Sequence, residues 1–257
     1  MPESPDPAEI EALWRQVLTV GHKHRLAVLP SNPRCEGCFV PFGGVGGIVA
    51  RANGIRPSRK NPNFCNYCDD ALPPGGAEIE LAIVFADVRG STAMGERLGP
   101  TAFAKALNRF YKAATDVIIA HNAVIDKMVG DEVMAVLYPL MSGPLYQREA
   151  VKLAADMLRS VGYGSASGPW VPVGVGLQCG VSFYGKVGTG TSADVTALGD
   201  TVNTAARLRD EAKAGEIVTS EEVYQHAADL FPNAEARTVS LKGKAEPLAV
   251  RVLRPAG

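Results

Sequence analysis

The stretch that decides the fold is Phe85-Ala86-Asp87-Val88-Arg89-Gly90-Ser91-Thr92. Its aspartate is matched 44 residues further on by the last residue of Lys127-Met128-Val129-Gly130-Asp131. Each carboxylate stands where an apolar, strand-like run breaks near a glycine, so two separate segments can bring Asp87 and Asp131 to one point. One strand-end aspartate before a glycine is usually a turn residue, but two in matched contexts are hard oxygen ligands that suit magnesium.

Length and composition set broad limits on the protein class. A chain of 257 residues can bury a full core, as one large domain or as a domain with an appendage. A formal net charge of −1 gives no sign of nucleic-acid binding, and we interpret the basic cluster between Arg51 and Lys60 as a solvated surface. The acidic, proline-containing N-terminus predicts no signal peptide and a cytoplasmic protein. The longest uncharged run, Ser160 to Gly185, is crowded with glycine and alternates, which predicts strand and turn rather than a membrane span.

The order of elements predicts an α+β fold, with helices packed on a mostly antiparallel sheet. The predicted strands are Ile79–Phe85, Ala123–Lys127, Val133–Leu137, Val171–Val181, Ile217–Thr219, Arg237–Ser240 and Leu248–Leu253. The predicted helices are 8–29, Thr101–His121, Glu149–Val161, 201–213 with Asp200 as N-cap, and a short helix from Ser220 to Gln225.

Two of these elements carry a further pattern. In the strand from Val171 to Val181, bulky residues alternate with small ones, which leaves a nearly bare glycine face that a helix or another chain can approach closely. In the helix 201–213, Asn203 and Arg207 are four residues apart and project from one face. An amide beside a guanidinium suits a ribose and a triphosphate.

Residues 79–253 resemble the catalytic domain of class III nucleotidyl cyclases. The three signatures of that family occur in order as Phe85–Thr92, Lys127–Asp131 and Leu198–Arg207, followed by Leu241-Lys242-Gly243-Lys244 before the last strand. Four separated motifs in sequence make the resemblance specific. It implies a ferredoxin-like α+β catalytic domain and an adenylate or guanylate cyclase active in cyclic-nucleotide signalling.

The resemblance also implies the roles of the polar residues. Asp87 and Asp131 would hold two Mg²⁺ or Mn²⁺ ions, one lowering the pKa of the ribose 3′-hydroxyl and the other holding the β- and γ-phosphates. The hydroxyl attacks the α-phosphate and pyrophosphate leaves. Arg207 corresponds to the transition-state arginine and Asn203 to the asparagine that orients the ribose. Lys242 matches the lysine that neutralises the terminal phosphates, with Lys244 as a solvated neighbour.

Two positions correspond to the base readers of the family. Lys127 can donate to adenine N1, whereas guanine carries a proton there. Thr196 stands where many members have aspartate, and its hydroxyl can accept from the adenine amino group, as in a bacterial subgroup linked to bicarbonate or carbon dioxide responses. ATP is therefore favoured over GTP. Ser91 departs from the aromatic residue common after Gly90, and the threonine leaves a guanylate cyclase as an alternative.

In this family the metal aspartates and the remaining site residues come from different domains. Because one chain here carries both sets, the resemblance implies a head-to-tail homodimer with two equivalent sites. The alternative is a catalytically silent sensor whose cyclase-like domain dimerises or binds nucleotide without turnover.

Four cysteines precede this domain in two CxxC knuckles, Cys35-Glu36-Gly37-Cys38 and Cys65-Asn66-Tyr67-Cys68. In a cytosolic protein such knuckles indicate a metal more often than disulfides. Zinc and an iron–sulfur cluster both fit four thiolates, and unligated thiols are a third possibility.

Other metal-binding side chains are weaker candidates. We interpret Cys179 as a small core residue, and His22 and His24 as surface residues rather than ligands.

The predicted organisation is an N-terminal helix (1–29), a CxxC metal module (30–70), a linker (71–78) and the cyclase domain (79–257). Few apolar side chains are available to the module, so something other than burial must order it. Its place before the catalytic domain suggests that it senses redox state or a gas and regulates activity through the linker.

Overall fold

The computed structural model describes residues 6–21, 23–69, 74–189, 193–244 and 246–255. The strands are β1 (Gly75–Val88), β2 (Val124–Val129), β3 (Glu132–Leu137), β4 (Val173–Val187), β5 (Asp194–Leu198), β6 (Ile217–Ser220), β7 (Glu235–Val239) and β8 (Leu248–Leu253). They form one sheet in the order β2-β3-β1-β4-β6-β8-β7, and β5 pairs with the end of β4. Within these residues, no helix combines the length and apolar character needed to cross a membrane.

The helices are α1 (Pro7–Thr19), α2 (Gly44–Ala52), α3 (Asn66–Asp69), α4 (Ser91–Leu98), α5 (Pro100–Ala120), α6 (Pro139–Ser142), α7 (Tyr146–Ser160), α8 (Asp200–Glu211) and α9 (Glu221–Gln225). Among the named strand pairs, β4 and β6 run parallel and the others are antiparallel. The predicted α+β fold with a mostly antiparallel sheet is therefore confirmed.

The central strand β1 is buried on both faces. It pairs with β4 along its whole length, from Gly75 opposite Lys186 to Val88 opposite Val173. Its even-numbered side chains from Ala82 to Val88 join a core formed with α5 and α7. Its odd-numbered side chains from Ile79 to Phe85 join a second core on the opposite face of the sheet.

The N-terminal region supplies the cover of this second face, which corrects the prediction that it has few apolar groups for a core. Trp14 and Leu18 of α1 are buried against the sheet, together with Val40, Ile55 and Phe64 of the cysteine region. Burial of such side chains stabilises by about 1.5–3 kcal/mol each. The cysteine region and the sheet therefore share one hydrophobic cluster.

Several predicted boundaries were wrong. The helix predicted over 8–29 ends at Thr19, because Gly21 takes a left-handed φ of 74°, and a 3₁₀ turn follows at Arg25–Val28. β1 begins at Gly75, ahead of the predicted Ile79. Of the predicted linker, residues 71–73 lie outside the described residues.

Five of these helices and strands were not predicted. They are α2, α3, α4, α6 and β5. Each contains fewer than ten residues, too few for a periodic pattern to stand out.

The bare face of β4 is occupied by α8 of the same chain. A Cβ atom on Gly176 would lie 2.1 Å from the backbone nitrogen of Arg209, and one on Gly174 would lie 2.9 Å from the carbonyl oxygen of Ala212. The predicted close approach is thus made by a helix, and these two glycines set the distance between α8 and the sheet.

We expect Gly176→Ala to displace α8, because the added methyl group meets helix backbone rather than a movable side chain. Overpacking of this kind lowers the free energy of unfolding by about 1–3 kcal/mol, measurable by urea denaturation. Gly95→Ala is the control, since its Cβ would meet only the Phe103 ring, at 3.6 Å, in the interior of α4. The control should be stabilised by about 0.5–1 kcal/mol, and equal stability of the two variants would contradict this account of the close approach.

Candidate active site

The structure brings Asp87 and Asp131 together at one edge of the sheet. Asp87 lies near the end of β1, and Asp131 follows Gly130 in the turn between β2 and β3. The backbone N–H of Val88 donates to the Asp131 carbonyl over 3.2 Å. Burial raises the pKa of the Asp87 carboxyl, and the negative charge of Asp131 raises it further. Arg89 and Arg209 lower this pKa, but the net effect is an increase. Two carboxylates that repel each other in a half-buried position suit a divalent cation.

Two arginines that were not predicted as site residues neutralise this acidic edge. Arg89 forms an ion pair with the Asp87 carboxylate. Arg209 of α8 forms an ion pair with Glu132, which faces Asp87 across the strands, and its Nη1 lies 4.0 Å from Asp87 Oδ2. Arg209 resembles an ordinary charged helix residue in the sequence, so only the packing of α8 on the sheet identifies its role.

An open groove of about 230 Å³ lies beside the aspartates. Its lining combines the acidic residues Glu96 and Asp131 with the hydroxyls of Ser91 and Thr92 and the apolar side chains of Phe103 and Leu107. Helix α4 begins here after Gly90, which has no side chain to cap the first amide groups. Uncapped N–H groups at a helix start favour an anion.

The other predicted catalytic residues lie on α8 and in the loop between β7 and β8. Asn203 is exposed and Arg207 is half-buried. The Arg207 guanidinium packs over Gly243, where a Cβ atom would lie 3.3 Å from its Nη2. Arg207 is thus next to the turn that contains Lys242.

One interpretation near α8 needs correction. Asp200 was predicted as the N-cap, but Gly199 holds that position, and the Asp200 carboxylate pairs with Lys244 instead. Lys244 was predicted as a solvated neighbour of Lys242, and it is exposed. The ion pair ties its loop to the start of α8 and so holds Lys242 near Arg207.

Arg207 and Arg209 project from different sides of α8. Arg209 reaches Asp87, and Arg207, two residues earlier, lies about 200° away around the helix. Arg207 is therefore directed away from the side of the helix that reaches Asp87.

The predicted base-reading pair is brought into direct contact. Lys127 Nζ on β2 donates to Thr196 Oγ1 on β5 over 3.0 Å. The pair is supported by Asp126, which was not predicted as a site residue. Its fully buried carboxylate accepts from the Thr196 hydroxyl at 2.8 Å, from the Ala197 N–H at 3.2 Å and from Lys127 at 3.1 Å. One signal for Asp126 was available in the sequence. It lies two residues after Val124, and alternate residues of a strand share a face, so a charged residue stands where a buried one is expected.

The four cysteines of the two knuckles converge at one point. The Sγ atoms of Cys35 and Cys68 are 3.6 Å apart, and those of Cys38 and Cys65 are 3.5 Å apart. All four ligand atoms lie within 4.8 Å of one another. Hydrogen bonds from the other three thiols lower the pKa of Cys35, so the cluster favours a thiolate. Four convergent sulfurs of this type fit a metal ion.

Among the described residues, neither Cys179 nor His24 joins this group of four ligand atoms. Cys179 packs against the main core, and burial raises the pKa of its thiol. His24 caps a 3₁₀ turn by accepting from the Leu26 N–H, and its ring meets Tyr67 edge-on. His22 lies outside the described residues.

Comparison with known proteins identifies the family. The model of the adenylate and guanylate cyclase catalytic domain matches residues 77–253. The chain belongs to the class III nucleotidyl cyclases. The resemblance stated from the motifs is thereby confirmed.

Two adenylate cyclases are similar to the cyclase domain of this chain. A terminal-differentiation-specific adenylate cyclase of Dictyostelium discoideum is 33% identical over 178 residues, 66% of this chain and 8% of that protein. An adenylate cyclase of Anabaena cylindrica is 28% identical over 183 residues, 66% of this chain and 36% of that protein. The chain thus spans a minor part of the length of these curated relatives.

Solved structures agree with the fold. The guanylyl cyclase Cya2 matches with a TM-score of 0.63 and 27% identity, over 71% of this chain and 95% of that chain. The adenylyl cyclase CyaB from P. aeruginosa matches with a TM-score of 0.60 and 26% identity, over 70% and 96%. The cyclase domain of this protein therefore has the fold of both adenylyl and guanylyl enzymes.

We expect Arg209→Met to lower the free energy of unfolding by about 1–3 kcal/mol, because it leaves Glu132 without its half-buried partner and Asp87 with Arg89 alone. Thermal or urea denaturation measures the change. Arg159→Met is the matched control, since its ion pair with Asp156 is half exposed and contributes at most about 1 kcal/mol. Added Mg²⁺ should reduce the loss of stability in Arg209→Met but leave the stability of Arg159→Met unchanged. Equal stability of the two variants would show that Arg209 does not balance this charge.

Proposed function

We propose that this cyclase domain converts ATP into 3′,5′-cyclic AMP and pyrophosphate for intracellular signalling. The observation that carries the proposal is the contact between Lys127 and Thr196. The ammonium can donate to adenine N1, and the hydroxyl oxygen can accept from the adenine amino group. Guanine presents a donor and an acceptor in the reverse order, so it fits this pair less well.

Asp87 and Asp131 would hold the catalytic metal. Bound Mg²⁺ or Mn²⁺ supplies positive charge that activates the 3′-hydroxyl and neutralises the phosphates. The amide groups at the start of α4 would bind phosphate oxygens. Arg207 would follow the charge that develops on the α-phosphate, with Lys242 on the terminal phosphates and Asn203 on the ribose.

Head-to-tail pairing of two chains would complete each site. The support is that Arg207 lies about 200° around α8 from Arg209, the residue that reaches Asp87 in the same chain. A second chain that presents Arg207, Asn203 and Lys242 to the first chain's aspartates would make two equivalent sites. The glycine face of β4 gives no room for this contact, because α8 already fills it.

The test is cyclic AMP formation from ATP with Mg²⁺ or Mn²⁺. We expect Asp87→Ala and Arg207→Ala each to lower activity by roughly 10²- to 10³-fold, because each removes charge stabilisation from both sites. A mixture of the two variants should recover part of the activity, since one site in each mixed dimer is intact. Asp116→Ala, on the exposed face of α5, is the control and should be as active as the unmodified protein.

The outcomes separate the alternatives. Mixed dimers without recovered activity would exclude the shared site. ATP binding without a cyclic product in either metal would indicate a silent sensor. Preferential formation of cyclic GMP would indicate a guanylate cyclase.

The four cysteines would hold one zinc ion. Tetrahedral zinc with Zn–S bonds of about 2.3 Å separates its sulfurs by about 3.8 Å, close to the 3.5 and 3.6 Å contacts between the thiols. An iron–sulfur cluster places its cysteines on different iron atoms, which requires wider spacing. The proximity of the thiols thus supports a single ion.

The metal module would regulate the nucleotide site through direct contacts as well as through the linker. Lys60, five residues before Cys65, bridges the two strands that carry the base-reading pair. Its carbonyl accepts from the Ile125 N–H on β2, while its ammonium donates to the Val195 carbonyl on β5 and pairs with Asp194 at 2.8 Å. Loss of the metal would loosen this bridge and so the pair beside it.

We expect Lys60→Met to weaken the apparent affinity for ATP by about tenfold, the value of one charge-assisted hydrogen bond. Steady-state kinetics and metal analysis by mass spectrometry are the measurements, and zinc should stay at one per chain. Cys65→Ser should lose both the zinc and the affinity, whereas Lys105→Met, exposed on α5, should change neither. Unchanged affinity in Lys60→Met would rule out this route, and a coloured, iron-containing protein would overturn the zinc assignment.

A further inference from the structure

We propose that Asp126 determines the base specificity of this site, as a positioning residue that fixes the direction of the Thr196 hydroxyl. The inference rests on the proposed function, because it concerns the nucleotide that the Lys127–Thr196 pair selects. Asp126 lies in an irregularity of β2, where the pairing register with β3 shifts between Ile125 and Lys127. Such a bulge re-aims a side chain, here into the space between β2 and β5.

The Asp126 carboxylate is the acceptor in each of the three contacts described above. Oδ1 accepts from the Ala197 N–H, and Oδ2 accepts from the Thr196 hydroxyl and the Lys127 ammonium. The side chain is 0% exposed, so no water competes for these positions. Three donors, one of them charged, surround an ionised carboxylate.

This arrangement directs the single proton of the Thr196 hydroxyl towards Asp126. The contact with Asp126 is 2.8 Å and charge-assisted, whereas the other acceptor for this proton, the Ala197 carbonyl, lies 3.5 Å away. A hydroxyl has one proton and two lone pairs. With its proton held by Asp126 and one lone pair facing Lys127, Thr196 can offer a ligand only an acceptor.

Lys127, in contrast, offers the ligand a hydrogen-bond donor. Its ammonium has three donors, two of which are directed at Asp126 and Thr196. The third is available to a ligand, since the side chain is 42% exposed. One donor beside one acceptor complements adenine, with its N1 acceptor and amino donor, and opposes guanine, with its N1–H donor and O6 acceptor.

Threonine alone would not discriminate, because a free hydroxyl rotates to donate or to accept. Asp126 removes that freedom. Asp126 therefore acts through Thr196. It ensures that an acceptor faces the base without contacting the base itself.

The test compares the full-length protein with Asp126→Asn. An amide in this place donates to Thr196 Oγ1 and releases the hydroxyl proton, which can then face guanine O6. We expect the preference for adenine to fall by roughly tenfold or more. The measurement is calorimetric binding of 3′-deoxy-ATP and 3′-deoxy-GTP, which lack the attacking hydroxyl, together with the ATP-to-GTP ratio of kcat/KM.

Two further variants separate positioning from a merely structural role. Asp126→Leu keeps the branching at Cγ and removes the polar atoms. It should lower the preference as well and replaces the Asn variant if that protein does not fold. In a Thr196→Val background, Asp126→Asn should leave the ratio of affinities unchanged, because no hydroxyl remains to be directed. A structural role would weaken binding of both nucleotides equally.

The outcomes are distinct from those of the proposed function. Equal or undetectable affinity of the unmodified protein for the two nucleotides, or an unchanged preference in Asp126→Asn and Asp126→Leu, overturns the role of Asp126. Adenine preference that depends on Asp126, without any cyclic AMP, supports the role of Asp126 and overturns catalysis.

Discussion

Strand β1 has no solvent-facing side between Leu81 and Ala86, and the rest of the structure depends on that constraint. A strand covered on both faces cannot accommodate a charge in its interior, so polar groups can first appear where it ends. Asp87 is placed there. The partner strands follow the same rule, since the hairpin of β2 and β3 delivers Asp131 to the same edge. Burial of the strand thus determines both the stability of the sheet and the place of its chemistry.

The layers packed on the two faces of β1 have different functions. Helices α5 and α7 complete one core. On the other face, α8 passes over the glycines of β4 and carries arginines that point in different directions. Arg209 balances the charge of its own acidic edge, while Arg207 is presented elsewhere. The closeness permitted by Gly176 therefore matters for electrostatics as much as for packing.

Much of this arrangement could be predicted from the sequence, because the catalytic motifs mark strand ends and one helix face. The α+β class, the hairpin around Gly130 and the strand Leu248–Leu253 followed from alternation and turn residues. Asp126 and Arg209 could not be assigned in the same way. Their roles arise from a strand irregularity and from a helix lying on a sheet, and neither contact is local in the chain. The N-terminal region was misjudged because its apolar residues share a core with the odd-numbered side chains of β1, and that contact is not local in the chain.

The joint burial of Trp14, the cysteine knuckles and β1 has a consequence for how this protein can change over evolutionary time. A sensor that is attached by a linker alone can be exchanged by recombination, since neither part loses its interior. Here, replacement of the N-terminal region would leave the odd-numbered side chains of β1 in water and destabilise the enzyme itself. A different N-terminal region would therefore have to arise by gradual substitution within the existing one, so that this region and the catalytic domain are inherited together.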